Sequence, residues 1–402
     1  MKKICLIIYL LSVFVLSNFK VYAVNEENVV KENIEETKTE TKNTLDLAKN
    51  ATSAIMLEAS TGEIIFQKNA NEKRPPASMT KMMSMLLIME NIEKGNLTFD
   101  EEVTSSAYAS SMGGSQIFLK AGEKMKVEDL LKGIAIGSGN DATVAMAERI
   151  AGTEEAFVKL MNDRAKELKL ANTNFKNSTG LDAENHYSTA YDMSIIAREL
   201  VKHKKILEFT GTYEDYLRKD SASPFWLVNT NRLVRFYQGV DGLKTGYTKE
   251  AGYCLTSTAE KNNMRLITVV MNEPSSQIRN GETSSMLDYG FNMYSINKIL
   301  DTDTSLQKSK VELGNALEVE IVPTEEVKIL NNKNSDERNV TYELELNTIK
   351  APVKKGDIVG KIKVYEDNKV INEINATVKY DVDKANIFKI YYRNLKNLFK
   401  GF

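Results

Sequence analysis

The chain has 402 residues, of which 42% are hydrophobic and 27% charged; these values are ordinary for globular proteins and allow two or three domains. Its formal net charge of −2 argues against nucleic acid as a partner, because binding to phosphates favours a basic protein. The two histidines leave little material for a histidine-rich metal site.

The N-terminus has the pattern of a secretory signal peptide. Lys2 and Lys3 supply positive charge, residues 4–16 are almost wholly apolar, and Val21-Tyr22-Ala23 offers a cleavage site. The alternative is a transmembrane helix, but a run of about 13 apolar residues is shorter than the roughly 20 that span a bilayer. We therefore predict a signal peptide at residues 1–23 and secretion across the cytoplasmic membrane.

Residues 24–45 are predicted to form a flexible acidic linker. Residues 24–44 contain six glutamates and no aromatic residue, so they cannot bury enough apolar surface to fold. Loss of the signal peptide would also remove Cys5 and leave Cys254 as the only cysteine. Because Cys254 lies in an apolar run that predicts a strand, we expect it to be a buried core thiol.

Residues 46–300 are predicted to form one α+β domain. Two short strands, 54–57 and 64–66, are joined by a turn at Ser60-Thr61-Gly62. After a rigid Pro75-Pro76 segment, residues 78–92 form a helix that is apolar nearly all round and should lie inside the domain. Further helices are predicted at 127–136, 141–150, 154–168, 191–200 and 283–294, and further strands at 253–257 and 265–270, after a turn at Asp241-Gly242. Strands at both ends with helices between them favour an antiparallel sheet flanked by helices.

From residue 301 onwards the apolar residues recur with a period of two. The alternating runs at 317–321, 340–346, 362–364 and 374–380 predict a small antiparallel β domain at residues 301–383.

Residues 384–402 return to a helical period. The predicted apolar face carries five residues and the opposite face is basic; the apolar five are Ile387, Tyr391, Leu395, Leu398 and Phe402. Such an amphipathic helix suits the surface of an anionic membrane and predicts a peripheral anchor. The alternative is that the helix packs on the β domain or on a partner.

Ser78-Met79-Thr80-Lys81 is the first candidate catalytic element. The same serine–lysine spacing also begins at Ser17, Ser295 and Ser305, so the spacing alone carries little information. Only Ser78 opens a long buried helix directly after two prolines. There the two side chains are neighbours, the helix N-terminus favours negative charge at the serine, and a buried lysine can be neutral. Ser78 is therefore the predicted nucleophile and Lys81 its general base.

Two further elements are candidates for the same cleft. Lys244-Thr245-Gly246 could hold a substrate carboxylate at the rim of a strand, its glycine would let another chain lie close, and its charge would depress the pKa of Lys81. Alone, such a tripeptide is more often a surface turn. Ser138-Gly139-Asn140 lies between two predicted helices, where Asn140 could instead cap the second helix.

The three elements together, in this order and at these separations, resemble the penicillin-binding proteins and serine β-lactamases. The surrounding residues are similar to those of low-molecular-mass D-alanyl-D-alanine carboxypeptidases; they are Pro75-Pro76-Ala77-Ser78-Met79-Thr80-Lys81, Gly137-Ser138-Gly139-Asn140-Asp141-Ala142 and Asp241-Gly242-Leu243-Lys244-Thr245-Gly246-Tyr247-Thr248. The resemblance covers residues 46–300, and the following β domain and helix resemble the tail of that family. It implies a β-lactamase/transpeptidase-like catalytic domain.

The resemblance implies a reaction. Ser78 would attack the carbonyl between the two terminal D-alanines of a cell-wall stem peptide, Lys81 would take its proton, and Ser138 would pass a proton to the leaving D-alanine. Water would then hydrolyse the acyl-enzyme, with no metal or cofactor. Penicillin would acylate the same serine and leave slowly.

It also implies how the substrate is held. Asn140 would orient the substrate amide, Lys244 and Thr245 would bind the terminal carboxylate, and Gly246 would let the substrate chain lie close to the strand. The backbone N–H groups of Ser78 and Tyr247 would form the oxyanion hole; some relatives carry histidine at the position of Tyr247, and we expect that difference to tune the activity. Arg279 would support carboxylate binding, although it could equally be a surface charge.

Three other functions are compatible with this resemblance. A β-lactamase would usually show Ser-Asp-Asn in the second element and a separate loop glutamate. A DD-endopeptidase would cut cross-links between stem peptides, and the sequence does not separate it from a carboxypeptidase. A non-catalytic penicillin-sensing or wall-binding protein would lack a catalytic residue, whereas all three elements are complete here. The carboxypeptidase is therefore the preferred prediction.

Overall fold

The computed structural model describes residues 46–336 and 338–399, with side chains as far as residue 393. The predicted signal peptide, at residues 1–23, and the predicted linker, at residues 24–45, lie outside the described residues.

The first part of the chain is built on a five-stranded antiparallel sheet with the strand order β2-β1-β9-β8-β7. Its strands are β1 (Ser53–Glu58), β2 (Ile64–Lys68), β7 (Val240–Thr248), β8 (Gly252–Lys261) and β9 (Met264–Glu273). The two ends of this part of the chain therefore meet in one sheet, which confirms the predicted α+β architecture.

Alternate residues of β1 enter two different cores, because successive side chains of a strand point to opposite faces. Ile55 and Leu57 pack into the larger core, whereas Ala54 and Met56 pack into a smaller one. The flanking helices are α1 (Lys81–Glu93), α2 (Ala107–Ser110), α3 (Val127–Ala135), α4 (Asn140–Ala151), α5 (Glu154–Glu167), α6 (Ala190–Leu200), α7 (Lys204–Thr210), α8 (Leu233–Phe236) and α9 (Ser276–Met293). Helix α9 covers the smaller core with Met286 and Leu287.

Helix α1 is buried almost all round, as its apolar composition predicts. It begins later than expected, because Ala77–Thr80 form a 3₁₀ helix ahead of it. Ser78 therefore lies in this 3₁₀ turn, and Lys81 is the first residue of the α-helix. Tightened turns of this kind are common at helix N-termini.

Two predicted boundaries in this region are wrong. Asp241-Gly242 is part of β7, where the register shifts between Val240 and Gly242, and forms no turn of its own. Helix α9 starts at Ser276, seven residues before the predicted 283, because Ser275 caps it by accepting a hydrogen bond from the Ile278 N–H at 3.2 Å. The polar first turns of α9 gave no apolar period to indicate this start.

Two short two-stranded antiparallel sheets were also not predicted. They pair β3 (Glu102–Thr104) with β4 (Lys124–Lys126), and β5 (Glu214–Leu217) with β6 (Phe225–Val228).

The C-terminal region forms the predicted β domain with more strands than the sequence pattern indicates. A six-stranded sheet has the order β14-β16-β17-β12-β11-β15, and a separate ribbon pairs β10 with β13. The strands are β10 (Tyr294–Leu300), β11 (Gln307–Glu312), β12 (Glu318–Pro323), β13 (Val327–Asn332), β14 (Val340–Leu346), β15 (Ile349–Lys350), β16 (Ile358–Glu366) and β17 (Lys369–Val378). The prediction of a wholly antiparallel domain is wrong in one place, since β15 pairs with β11 in parallel.

Arg338 connects the β domain to the first sheet. Its Nη1 donates to Glu63 Oε2 at 2.7 Å, in the turn between β1 and β2, and its Nε donates to Glu366 Oε1 of β16 at 2.6 Å. One guanidinium thus links a carboxylate of each region.

Helix α10 (Ile387–Phe399) lies within the predicted C-terminal helix. Ile387 and Tyr391 of the predicted apolar face are exposed, whereas Lys389 and Arg393 donate to the carbonyl oxygens of the Gly314-Asn315 turn at 2.6–2.9 Å. The side chains of Leu395, Leu398 and Phe402 lie outside the described residues. Within the described part of the chain, no helix combines the length and apolarity needed to cross a bilayer.

Candidate active site

Ser78 and Lys81 form a hydrogen-bonded pair at the head of α1. Lys81 Nζ donates to Ser78 Oγ at 3.0 Å and to the carbonyl oxygen of Thr179 at 2.7 Å. Lys81 is completely buried, and this burial, reinforced by the nearby Lys244 charge, holds the pKa of Lys81 well below its usual range, against the opposing effect of Asp141. A buried amine of lowered pKa next to a hydroxyl has the geometry of a general base and its nucleophile.

The loop that carries Thr179 reaches the catalytic turn because of a glycine. Gly180 has a φ of +86°, and a Cβ at this position would lie 1.8 Å from the carbonyl oxygen of Ala77. Asn177 Oδ1 accepts the Gly180 N–H at 2.7 Å and shapes the turn. Sequence reasoning missed this loop, because its contribution to the site is a backbone carbonyl.

Ser138 projects into the site from the connection between α3 and α4. Its φ of +62° is left-handed, a conformation that few non-glycine residues adopt and that often marks a functional position. The hydroxyl is buried and has no hydrogen-bond partner among the described residues.

Asn140 does not cap the following helix, so that alternative is wrong. It is the first residue of α4, Gly139 holds the N-cap position, and no side chain makes the cap. Asn140 Nδ2 instead donates to the carbonyl oxygen of Gly113 at 2.7 Å, and its buried Oδ1 accepts nothing from the part of the chain described. Buried polar atoms without partners are rare in native proteins, so this oxygen and the Ser138 hydroxyl are both available to a ligand.

Asp141 builds the wall beside these two residues. Its carboxylate accepts the backbone N–H groups of Ile117 at 3.0 Å and of Leu119 at 2.9 Å. This fixes the segment in which Ser115 lies, and the Ser115 carbonyl oxygen accepts the Asn140 N–H at 2.7 Å. Asp141 has no predicted role, since a lone aspartate on a helix carries no specific signal in the sequence.

Lys244, Thr245 and Gly246 lie on β7 against the catalytic turn. A Cβ at Gly246 would lie 2.8 Å from the carbonyl oxygen of Pro76, so the glycine is needed for the close approach of this strand to the turn. Burial and the neighbouring Arg279 lower the pKa of Lys244 to about 7. The structure thus places the Lys244 charge near enough to Lys81 to lower the pKa of that amine.

Arg279 and Tyr247 complete the predicted set. Arg279 is a buried residue of α9 whose Nη2 donates to Asn280 Oδ1 at 2.9 Å, so it is not the surface charge that the alternative supposed. The Tyr247 side chain is exposed and its ring lies 4.4 Å from that of Tyr253.

A cleft of about 360 Å³ lies at this site, and the predicted residues Lys81, Asn140 and Lys244 are not among those that line it. Six predicted site residues line it: Ser78, Ser138, Thr245, Gly246, Tyr247 and Arg279. Sequence reasoning missed the other lining residues, which are Ser115, Thr230, Arg232, Tyr253, Ser276 and Asn280. Most of these are small polar residues of a kind that occurs throughout the sequence.

Cys254 is not among the residues that line this cleft. Cys254 is a buried thiol of β8 whose pKa is raised by burial to about 11, as expected of a core cysteine. Within residues 46–336 and 338–399, no group of three or more His, Cys, Asp or Glu side chains is arranged to hold a metal ion.

Two protein families match this chain. Residues 36–275 match the family described as D-alanyl-D-alanine carboxypeptidase, and residues 294–384 match the C-terminal domain of penicillin-binding protein 5.

Individual relatives agree with the family matches. The D-alanyl-D-alanine carboxypeptidase DacF of Bacillus subtilis is 49% identical over 355 residues, which cover 88% of this chain and 91% of that relative. Penicillin-binding protein 5 from Haemophilus influenzae superimposes with a TM-score of 0.67 at 31% identity, covering 83% of this chain and 98% of that one. Penicillin-binding protein D2 from Listeria monocytogenes, solved in an ampicillin-bound form, has a TM-score of 0.52 at 30% identity and covers 60% of this chain and 98% of its own.

Proposed function

The chain belongs to the D-alanyl-D-alanine carboxypeptidase family, and we propose that it removes the terminal D-alanine of cell-wall stem pentapeptides through an acyl-enzyme on Ser78. The observation that carries this proposal is the buried Lys81 amine 3.0 Å from Ser78 Oγ, in a cleft that also presents the unpartnered hydroxyl of Ser138.

Acylation begins when Lys81 takes the proton of Ser78 and Ser78 Oγ attacks the carbonyl between the two D-alanines. The backbone N–H groups of Ser78 and Tyr247 stabilise the oxyanion of the tetrahedral intermediate; one such donor contributes roughly 3 kcal/mol to catalysis. The peptide C–N bond then breaks, and the proton passes through Ser138 to the nitrogen of the departing D-alanine. Ser78 is left as an ester of the shortened peptide.

Substrate binding uses the charges on the other side of the cleft. Lys244, Thr245 and Arg279 bind the terminal carboxylate, and Asn140 Oδ1 accepts the amide N–H of the substrate. Pairing with substrate would satisfy the buried oxygen of Asn140, which lacks a donor in the described chain.

After the D-alanine has left, a water molecule hydrolyses the ester on Ser78 and returns the serine to its starting state.

β-Lactams would react with the same serine, because a penicillin carboxylate and amide occupy the cleft as the dipeptide end does. The carbonyl carbon bonds to Ser78 Oγ, the bond between this carbon and the ring nitrogen breaks, and the nitrogen takes up the proton that Ser78 lost. The resulting amine stays tethered to the acyl group through the rest of the opened molecule. This leaving group stays in the cleft and hinders water, so the adduct persists.

The reaction is tested by incubating the protein with a stem pentapeptide and measuring free D-alanine, with a fluorescent penicillin as a parallel probe. Release of one D-alanine per peptide and a persistent adduct support the carboxypeptidase. An adduct that clears within seconds favours the β-lactamase alternative. Cleavage of a cross-linked peptide dimer but not of the pentapeptide favours the endopeptidase, and no adduct with no release favours a non-catalytic wall-binding protein.

We further propose that the protein acts outside the cytoplasmic membrane and is held at its surface by the C-terminal helix. Support comes from the apolar N-terminal segment and from the exposed Ile387, Phe388, Tyr391 and Tyr392 of α10. A chain lacking residues 384–402 should be soluble and active. If the truncated chain still sediments with membranes at the wild-type level, the anchor proposal fails.

A further inference from the structure

We propose that His186 is a positioning residue for the Ser78–Lys81 pair: its neutral ring ties the loop that contacts Lys81 to the turn that carries Ser78. The inference rests on the proposed function, since it assigns His186 an effect on the acylation step. His186 touches neither substrate nor the reacting atoms, so any effect must pass through its neighbours.

The hydrogen bonds of His186 define its protonation. Its Nδ1 accepts the backbone N–H of Lys176 at 3.2 Å, so this nitrogen carries no proton. The other nitrogen, Nε2, therefore holds the proton and donates to Thr80 Oγ1 at 2.9 Å. The ring is buried, and the Phe175 ring meets it edge-on at 5.9 Å.

These two partners belong to two different segments, one that carries Lys81 and one that contacts it. Thr80 is the residue before Lys81 and belongs to the 3₁₀ turn of Ser78. Lys176 begins the loop whose Thr179 carbonyl oxygen accepts from Lys81 Nζ at 2.7 Å. One imidazole thus joins the backbone that carries the nucleophile to the loop that holds the base.

Other contacts fix the middle of this loop without reaching the catalytic turn. Glu154 Oε1 accepts the Ser178 N–H at 2.9 Å, and Ser84 Oγ donates to the Ser178 carbonyl oxygen at 2.7 Å. Ser84 lies a turn further along α1, away from Ser78. His186 therefore contributes a side-chain link at the Ser78 end of the helix.

The surroundings of the His186 ring favour its uncharged form. Burial lowers the pKa of His186, the Asp182 charge opposes this effect and the Lys176 charge adds to it, so that the pKa lies at about 4. A second proton would set Nδ1–H against the Lys176 N–H and remove the link to the loop. The other charged groups that line the cavity beside the ring are Lys73, Arg74, Glu184 and Glu250.

The test compares the two histidines of the chain. His186 contacts the turn that precedes α1, whereas His203 Nδ1 lies 2.6 Å from Glu93 Oε1 at the last residue of the same helix. The variants are His186→Gln, His186→Phe and Thr80→Val, with Thr80→Ser and His203→Gln as controls. The readouts are the second-order rate of acylation by a fluorescent penicillin as a function of pH, and the thermal unfolding temperature of each variant.

His186→Phe and Thr80→Val should slow acylation about 10- to 100-fold, because small displacements of reacting groups have effects of this size. The rising limb of the pH–rate profile should move to lower pH, since the Thr179 carbonyl oxygen favours the ammonium form of Lys81 and its displacement lowers the pKa of that amine. His186→Gln can still donate to Thr80 and should recover part of the rate. Thr80→Ser and His203→Gln should behave like the wild type.

The inference is overturned if folded His186→Phe and Thr80→Val keep the wild-type acylation rate and if the rising limb of their pH–rate profile lies at the wild-type pH. This holds even if the two variants unfold at a lower temperature. It is also overturned if His203→Gln slows acylation equally. Failure of the proposed function would look different, because the wild-type protein itself would then form no adduct and release no D-alanine.

Discussion

The cleft and the C-terminal six-stranded sheet are built from opposite kinds of interior. The cleft buries Lys81, Lys244 and Arg279 and leaves polar atoms of Ser138 and Asn140 without partners among the described residues. The core of the C-terminal sheet is aliphatic, and its charged side chains pair at the surface, as Lys363 Nζ does with Glu345 Oε1 at 2.5 Å.

This difference indicates where stability and where reactivity reside. Buried amines and unpaired hydroxyls cost folding free energy, about 1–3 kcal/mol for each unsatisfied group, whereas aliphatic burial stabilises. A protein that retains such groups around one cleft does so where a ligand can pair with them. Changes in the cleft should therefore alter the rate more than the stability, and changes in the sheet should do the reverse.

The largest expected effect is on rate in the cleft. Lys81→Ala removes the base 3.0 Å from Ser78 Oγ and should lower penicillin acylation by about 10²- to 10⁴-fold. Circular dichroism should show a folded protein. The base assignment is wrong if this variant acylates at the normal rate, and Lys81→Met, which keeps the side-chain volume, controls for the cavity.

Ser138→Ala removes a single hydroxyl group from the cleft and so tests the effect of one polar group on both rate and stability. The proton-transfer role predicts a loss of about 10²-fold in the rate of acylation. Because the Ser138 hydroxyl has no partner in the described structure, its removal should leave the free energy of unfolding unchanged or slightly higher. A clear loss of stability in chemical denaturation would show that the hydroxyl has a structural partner.

Ile362→Ala tests the other region. Ile362 is completely buried in the aliphatic core of the C-terminal sheet, so its truncation should lower the free energy of unfolding by about 2–5 kcal/mol. Val370→Ala, at a half-exposed position of the neighbouring strand, should change it by less than about 0.5 kcal/mol. The acylation rate should stay at the wild-type level in both variants, and a reduced rate would mean that the two regions are coupled.

The smallest effect is a pH dependence of binding. Lys244 has a pKa of about 7, so it is mainly charged below pH 7 and loses its charge as the pH rises through that value. KM for a peptide with a free carboxylate should therefore rise, by about tenfold at pH 8 relative to low pH if only the charged form binds. Lys244→Arg keeps its charge throughout and should flatten the profile. An unchanged KM between pH 6 and pH 8 in the wild type would remove Lys244 from carboxylate binding.

The parts of this site that sequence could predict are those carried by side chains in recognisable local settings. Ser78 and Lys81 follow two prolines and open an apolar helix, and both their pairing and the effect of Lys244 on the pKa of Lys81 agree with prediction. The Thr179 carbonyl could not be predicted, because every residue has a carbonyl and only the tertiary fold selects this one.

The same reason explains the errors in the fold. The β11–β15 pairing joins residues 311–312 to 349–350 through a strand of two residues, which is too short to show alternation. Asn140 looks like a helix cap locally, but the segment around Gly113 provides a competing carbonyl. Local pattern indicates which residues can act, whereas contacts distant in sequence decide how they do.

The identity of the acylated residue tests most directly whether Ser78 is the nucleophile. After incubation with penicillin, the protein should carry one penicilloyl group, and peptide mapping by mass spectrometry should place it on Ser78. The Ser78→Ala variant should carry none and should release no D-alanine. An adduct on any other residue, or continued release of D-alanine by Ser78→Ala, would contradict the assignment of Ser78 as the nucleophile.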